Sequence, residues 1–182
     1  KILVIIPAKL DSKRLFQKNL SKLNGKTLVE HSIDYAKQSK HKPEIIISSE
    51  SDLLEEIAKN NNVQFKKRSI DLCGDTEVVD VYIDLIKELN KKYDIVVGLQ
   101  PDNPNRINSL DYCIEYMVSN NYDDIITIDE TYRRSGAIRL FKYHFLMKQH
   151  VSKANTAFDT SIYFIVDTLI NIKVNGHSII RN

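Results

Sequence analysis

Apolar and polar positions follow two rhythms along this chain. Short continuous apolar runs recur at Ile2–Ile6, Glu44–Ser48, Asp94–Leu99 and Asp124–Ile128. Rich in β-branched residues, such runs predict strands buried on both faces. Between them the apolar spacing lengthens to three and four residues, the period of a helix. Leu28, His31, Ser32, Tyr35 and Ala36 share one side of a predicted helix over Thr27–Ser39. Ser51 opens a second helix, with Leu54, Ile57 and Ala58 as its stripe. A longer helix runs to Asn90 with Val79, Ile83, Ile86 and Leu89 inward and Thr76 as its expected N-cap. Asn108 or Ser109 caps a fourth, carrying Leu110, Cys113, Ile114 and Met117. Val63–Phe65 reads as a short strand, Gly136–Phe141 as a strand at a sheet edge, and Ser161–Val166 as a late strand; the polar Val151–Thr160 reads as loop. Strands alternating with helices imply a mainly parallel sheet with right-handed crossovers. The predicted fold is α/β, a three-layer α/β/α sandwich.

Length and composition narrow this to an ordinary globular chain. The 182 residues are 42% hydrophobic and 27% charged, without repeats or low-complexity stretches, and read as one domain over 1–182. Disordered, collagen-like and disulfide-scaffold classes are excluded. The apolar runs are too short for a signal-peptide core or a membrane span, so a cytoplasmic protein is expected. Cys73 and Cys113 have no metal-binding spacing and read as buried free thiols. The five histidines form no ligand pattern.

Charge changes the picture more. The net charge is only +2, but residues 9–26 hold six cations against Asp11, a local +5 on a remainder of −3. A compact basic loop suits a small polyanion. A nucleic-acid partner is not expected, because that would show a broader basic face with interleaved aromatics.

Ligands of open parallel sheets bind beyond the carboxyl ends of the strands. Pro7–Asn24, after the first strand, far exceeds the roughly two to six residues usual for a strand-to-helix connection. Its Lys9, Lys13, Arg14 and Lys18 can converge on a triphosphate, neutralising oxygens that gain charge during transfer. The other reading is a solvated basic loop. There is no GxxxxGK[ST] and no GxGxxG, which argues against P-loop ATPases and nicotinamide enzymes. In Leu99-Gln100-Pro101-Asp102-Asn103-Pro104, Asp102 stands between two prolines at a strand end. It reads as a holder of Mg²⁺, which takes one or two carboxylates and completes its shell with phosphates and water, or as a turn residue. Ser48-Ser49-Glu50-Ser51-Asp52 and Gly74-Asp75-Thr76 read first as helix caps. Arg133, Arg134 and Arg139, in Tyr132–Lys142, either hold an acidic or phosphorylated acceptor or form a basic surface hairpin.

These residues carry a resemblance. Ile6-Pro7-Ala8-Lys9-Leu10-Asp11-Ser12-Lys13-Arg14-Leu15-Phe16-Gln17-Lys18-Asn19-Leu20, followed by Leu23-Asn24-Gly25-Lys26, is similar to the signature I-P-A-R-x-G-S-K-R-L-P-x-K-N, then L-x-G-K, of cytidylyltransferases that activate acidic sugars. These are the acylneuraminate (sialic acid type) and 3-deoxy-manno-octulosonate cytidylyltransferases. Ile47-Ser48-Ser49-Glu50-Ser51 resembles V-S-T-D-S, and Gly74-Asp75-Thr76 matches G-D-T before a long helix. Leu99-Gln100-Pro101-Asp102-Asn103-Pro104 resembles L-Q-P-T-S-P, its Asp102 matching the Q-G-D-E-P of the octulosonate branch. Ser161-Ile162-Tyr163 resembles a late G-A-I-Y strand.

The resemblance implies a nucleotide-diphospho-sugar transferase-like fold and transfer of CMP from CTP to a sugar acid, for lipopolysaccharide or capsule biosynthesis. It implies Mg²⁺ as cofactor and a homodimer. Lys9, Ser12, Lys13 and Lys18 fall on triphosphate positions, joined by Arg14 from the same loop, and Asn19 on a nucleotide-contacting asparagine. The Pro7 and Ala8 backbone would border the cytosine. Gln100 falls on a sugar-contacting glutamine, Tyr163 on the acceptor side, and Asp102 on a metal ligand. The family completes its metal site with a late D-I-D or V-D-T motif, and Asp159 is the residue carried onto that role here. Lys9 for arginine, Asp11 for glycine and Phe16 for proline are further departures. Two alternatives stay open: a catalytically inactive nucleotide-binding partner subunit, and a nucleotide-sugar-dependent glycosyltransferase.

Overall fold

The β-branched N-terminal run becomes strand β1 (Ile2–Pro7), hydrogen-bonded on both edges. The computed structural model describes residues 1–10, 17–73, 76–128 and 134–148, and residues 162–166 as backbone. After β1, a short 3₁₀ turn (Lys18–Leu20) leads into a two-stranded hairpin, β2 (Lys22–Leu23) within the predicted loop Pro7–Asn24 and β3 (Lys26–Thr27) reaching the first residue of the predicted helix. Helix α1 (Leu28–Lys37) starts with a reciprocal capping box between Thr27 and Glu30, which satisfies two otherwise unpaired donors. Then come β4 (Glu44–Ser49), α2 (Asp52–Asn60), β5 (Gln64–Lys67), α3 (Val78–Leu89), β6 (Ile95–Leu99), α4 (Leu110–Ser119), β7 (Asp124–Ile128), β8 (Arg134–Lys142), a short α5 (Tyr143–Met147) and β9 (Ile162–Val166).

Among the described residues seven strands form one sheet, in the order β5-β4-β1-β6-β8-β7-β9. β5, β4, β1 and β6 are parallel; β8 runs antiparallel between β6 and β7, and β9 pairs parallel with β7. Strand residues alternate between two apolar layers. Val4, Ile6, Val97 and Leu99 pack with Val29 and Ile33 of α1, Leu54 of α2 and Ile114 of α4. Leu3, Ile5, Val96 and Phe141 pack with Tyr82 and Ile86 of α3 and Leu146 of α5. The three-layer sandwich is the observed architecture. No helix among the described residues is long and apolar enough to cross a membrane.

Four expectations are corrected. β8 lies inside the sheet rather than at its edge, its backbone groups paired with β6 on one side and β7 on the other. Thr76 is not the cap of α3: the N-cap is Glu77, while Thr76 Oγ1 donates to the carbonyls of Asp71 and Cys73, both at 3.3 Å. On α1 the buried stripe includes Val29 and Ile33, whereas His31 and Tyr35 sit half-buried on its flank. Cys113 is buried as expected, but Cys73 is half-buried outside the core clusters, its thiol facing the Ser69 carbonyl at 3.4 Å. Val151–Thr160 lies outside the described residues.

Candidate functional site

A cleft of about 260 Å³ opens at the carboxyl ends of β1 and β6. Pro7, Lys9, Lys18, Asn19, Gln100 and Asp102 all line it, so six of the expected site residues meet in one place. Each arrives by a distinct local device. Pro7 ends β1, and the Ala8 N–H makes the last ladder-like bond, to the Ser48 carbonyl at 3.0 Å. Beyond it the chain leaves the sheet. Ala8 is fully buried and offers only backbone. Lys18 and Asn19 follow Gln17, whose left-handed φ of 52° turns the chain into the 3₁₀ segment. Asn19, itself buried, donates from Nδ2 to the Lys9 carbonyl at 2.7 Å.

Lys18 Nζ lies 2.8 Å from Asp102 Oδ2 and ties the loop after β1 to the loop after β6. The buried Asn103 donates from Nδ2 to Asp102 Oδ1 at 3.2 Å. Asp102 keeps 32% of its side chain exposed, with Lys18 on one oxygen and Asn103 on the other. Arg106 staples this second loop: its guanidinium donates to the carbonyls of Gln100 (2.7 Å) and Ala137 (3.0 Å) and to Ser32 Oγ (3.3 Å). Gln100 itself lies against Gly136 of β8.

The sequence reading missed Arg68, which also lines the cleft. It donates to the Ser48 carbonyl at 2.7 Å and to Ser48 Oγ at 3.3 Å. Burial pushes its guanidinium below its ordinary pKa, while the neighbouring Cys73 and Glu50 act the other way. The available signal was positional: Arg68 follows directly on a strand, at the sheet end where ligands bind. Thr76, Leu72, Val78 and Val81 complete a mixed polar and apolar wall. Such a surface fits a group with one planar face and one highly charged end.

Arg139 leaves the acceptor set. It is only 8% exposed, and its guanidinium grips the fully buried Asp124 through two bonds, Nη2–Oδ2 at 2.8 Å and Nε–Oδ1 at 3.2 Å. It also lies 4.6 Å over the Phe141 ring. Its role is to neutralise a carboxylate inside the molecule. Arg134 opens β8, half-buried, at the same end of the sheet as the cleft. The backbone of Tyr163 lies on β9 opposite Ile125. Ser12, Lys13, Arg14, Arg133 and Asp159 lie outside the described residues. Among the described residues no group of three or more His, Cys, Asp or Glu could hold a metal ion.

The sequence model of the cytidylyltransferase family matches residues 3–177 of this chain. The CMP-N,N'-diacetyllegionaminic acid synthase of Legionella pneumophila is 38% identical over 111 residues, covering 58% of this chain and 48% of that protein. This chain thus spans about half the length of that relative. A solved cytidylyltransferase from Leptospira borgpetersenii superposes with a TM-score of 0.66 at 26% identity, over 81% of this chain and 63% of that one. A CMP:2-keto-3-deoxy-manno-octonic acid synthetase complexed with CTP superposes with a TM-score of 0.71 over 91% of this chain and 90% of that one. At 14% identity the second structure speaks for the fold alone.

Proposed function

Because the chain belongs to the cytidylyltransferase family, we propose that it transfers CMP from CTP to an acidic sugar of the sialic acid or octulosonate type, giving a CMP-sugar and pyrophosphate. The observation that carries this reading is the Lys18–Asp102 pair, which sets a cation and a carboxylate together at the cleft. The acceptor hydroxyl attacks the α-phosphorus, the bond to the β-phosphate breaks, and pyrophosphate carries away the electron pair. No covalent intermediate with the protein is needed, so the chain contributes positioning and charge.

Lys9 and Lys18 face the phosphates, with Arg68 as a third cation on the same wall. Ser12, Lys13 and Arg14 belong to the same phosphate loop. The Pro7 and Ala8 backbone and Asn19 border the nucleoside. Gln100, Arg133, Arg134 and Tyr163 are assigned to the acceptor side. Before turnover Lys18 exchanges Asp102 for a phosphate oxygen, which frees the carboxylate. The donor set then fits Mg²⁺: one partly exposed carboxylate, Asp102, beside a site for phosphates. Asp159 is the second candidate ligand. When bound, the ion neutralises charge that develops on the phosphate oxygens. A single domain over 1–182, a homodimer, a cytoplasmic location and a role in surface-glycan synthesis belong to the same reading.

Calorimetric titration with CTP, with and without Mg²⁺, against ATP, GTP and UTP tests the nucleotide half. Selective CTP binding is expected. A panel of sugar acids, followed by pyrophosphate release, tests the transfer. Lys18→Ala is expected to lower turnover at least ~100-fold, as when one transition-state donor is lost; a near wild-type rate removes Lys18 from this role. CTP binding without turnover on any acceptor would favour a nucleotide-binding partner subunit, and transfer from a UDP- or GDP-sugar would favour a glycosyltransferase.

A further inference from the structure

We propose that Glu50, which does not line the cleft, is a positioning residue that aims the Lys9 side chain by holding the Lys9–Leu10 peptide. This deepens the reading of the cleft as a nucleoside triphosphate site and rests on it.

The peptide between Lys9 and Leu10 is held at both ends. Its carbonyl accepts from Asn19 Nδ2 at 2.7 Å, and its N–H donates to Glu50 Oε1 at 2.7 Å. Sheet-like bonding ends one residue earlier, at the Ala8 N–H. The next peptide is therefore oriented by two side chains, one from the 3₁₀ turn and one from the loop after β4. A peptide is planar, so fixing its two polar ends fixes the torsions on either side. One of those torsions sets where the Lys9 side chain departs, and Lys9 lines the cleft.

A carboxylate beside a pocket walled by Lys9, Lys18 and Arg68 repels the anion the pocket suits. Its second oxygen faces Ser49 Oγ at 3.4 Å, and its charge acts on Arg68. What it supplies is a charge-assisted bond to a backbone N–H, about twice as strong as a neutral one. Holding the loop before the ligand arrives reduces the ordering cost of binding.

Two conservative variants separate reach from charge. Glu50→Gln keeps the acceptor and removes the charge; Glu50→Asp keeps the charge and withdraws the acceptor by one methylene. Wild type, both variants, Glu50→Ala, Lys9→Ala and Lys9→Ala/Glu50→Ala are titrated with CTP, CMP and sodium tripolyphosphate. Backbone amide exchange at Leu10 is followed in each.

Glu50→Ala and Glu50→Asp are expected to weaken CTP binding about tenfold, in line with loss of one hydrogen bond to a charged group. CMP binding changes less than about threefold, while Glu50→Gln, which keeps a neutral acceptor, loses less CTP affinity than Glu50→Ala or Glu50→Asp. In the Lys9→Ala background, Glu50→Ala adds no further loss. Leu10 exchanges slowly in wild type and Glu50→Gln, and rapidly in Glu50→Ala and Glu50→Asp. Should Glu50→Ala fail to fold, the Asp and Gln pair carries the same comparison.

Wild-type CTP binding and Leu10 protection in Glu50→Asp would overturn the proposal. An equal loss from Glu50→Ala with and without Lys9 would overturn the route through Lys9. A wild-type chain that binds none of the three ligands overturns the nucleotide reading instead, while Leu10 exchange still decides whether Glu50 holds the peptide.

Discussion

Gly136 has a φ of +67°, which a residue with a side chain adopts only under strain, and a Cβ there would lie 2.7 Å from Gln100 Nε2. Gly136→Ala therefore displaces Gln100 or bends β8. With Gln100 on the acceptor side, the expected result is an acceptor KM raised about tenfold, or ~1.4 kcal/mol, with the KM for CTP unchanged. Steady-state kinetics with each substrate varied in turn would show it; a change confined to CTP would move Gln100 away from the acceptor. Gln100 was legible from its place after a strand, but Gly136 was not, because its reason is a side chain 36 positions away in the loop after β6. Lys18 and Asp102 were each legible in the same limited way. One stands in a basic loop and the other between two prolines, and nothing local says that they touch across 84 residues. Arg68 escaped because it stands in no motif, three residues past the predicted strand Val63–Phe65, and Glu50 because its segment reads first as a helix cap.

At the scale of the element, β8 shows what periodicity conveys and what it omits. The apolar run of Ala137, Ile138, Leu140 and Phe141 identifies a strand, and the one polar position, Arg139, looks solvent-facing. Helices cover both faces of this sheet, so the position is internal and Arg139 meets Asp124 of β7. Removing one partner of a buried pair leaves an uncompensated charge, at a cost of about 3–5 kcal/mol. Arg139→Met is therefore expected to lower the melting temperature by roughly 10 °C or more, and pairing it with Asp124→Leu should recover much of the loss. Wild-type melting with a raised acceptor KM would restore Arg139 to the acceptor site. Apart from the short α5, for which the sequence reading gave no element, the other strands and helices form within a few residues of their predicted bounds, because a buried run or a 3.6-residue stripe is a property of contiguous residues. The β2–β3 hairpin was not foreseen: its strands have two residues each, too few to show a period.

Across the whole molecule the two ends of the sheet do different work. The cleft lies at the carboxyl ends of the parallel strands, and Glu44 lies at the amino end of β4. Glu44 accepts from Lys91 Nζ and Gln64 Nε2, both at 3.0 Å, and from the Tyr93 hydroxyl at 3.1 Å. It also pairs with Lys1 Nζ at 3.7 Å. Burial alone would push its carboxyl up, but the bonds from Lys91, Gln64 and Tyr93 outweigh that and hold it below the ordinary range. The folded state thus favours the ionised form. The stabilisation is present above the ordinary carboxylate pKa of about 4.3 and is lost as pH falls through the lowered folded value. Glu44→Gln is expected to reduce stability at pH 7 by about 1–3 kcal/mol, and the gap to wild type should close in acid. Urea unfolding at pH 7 and near pH 3 measures both, and a gap independent of pH would refute the assignment. CTP binding at pH 7 should be unaffected.

The sequence by itself determined the α/β architecture, the sheet edge that carries the chemistry, the basic loop, Asp102 and the family resemblance. All of these are written in neighbouring residues, as period, run length, turn chemistry or motif. Only the tertiary structure decided the order of the strands, the antiparallel insertion of β8, the meeting of Lys18 with Asp102 and the holding of one peptide by Asn19 and Glu50. It also decided which arginines face the cleft and which neutralise the interior. Those outcomes depend on packing and electrostatic contacts between segments tens of residues apart, and a local pattern does not record which distant partner a charge will meet.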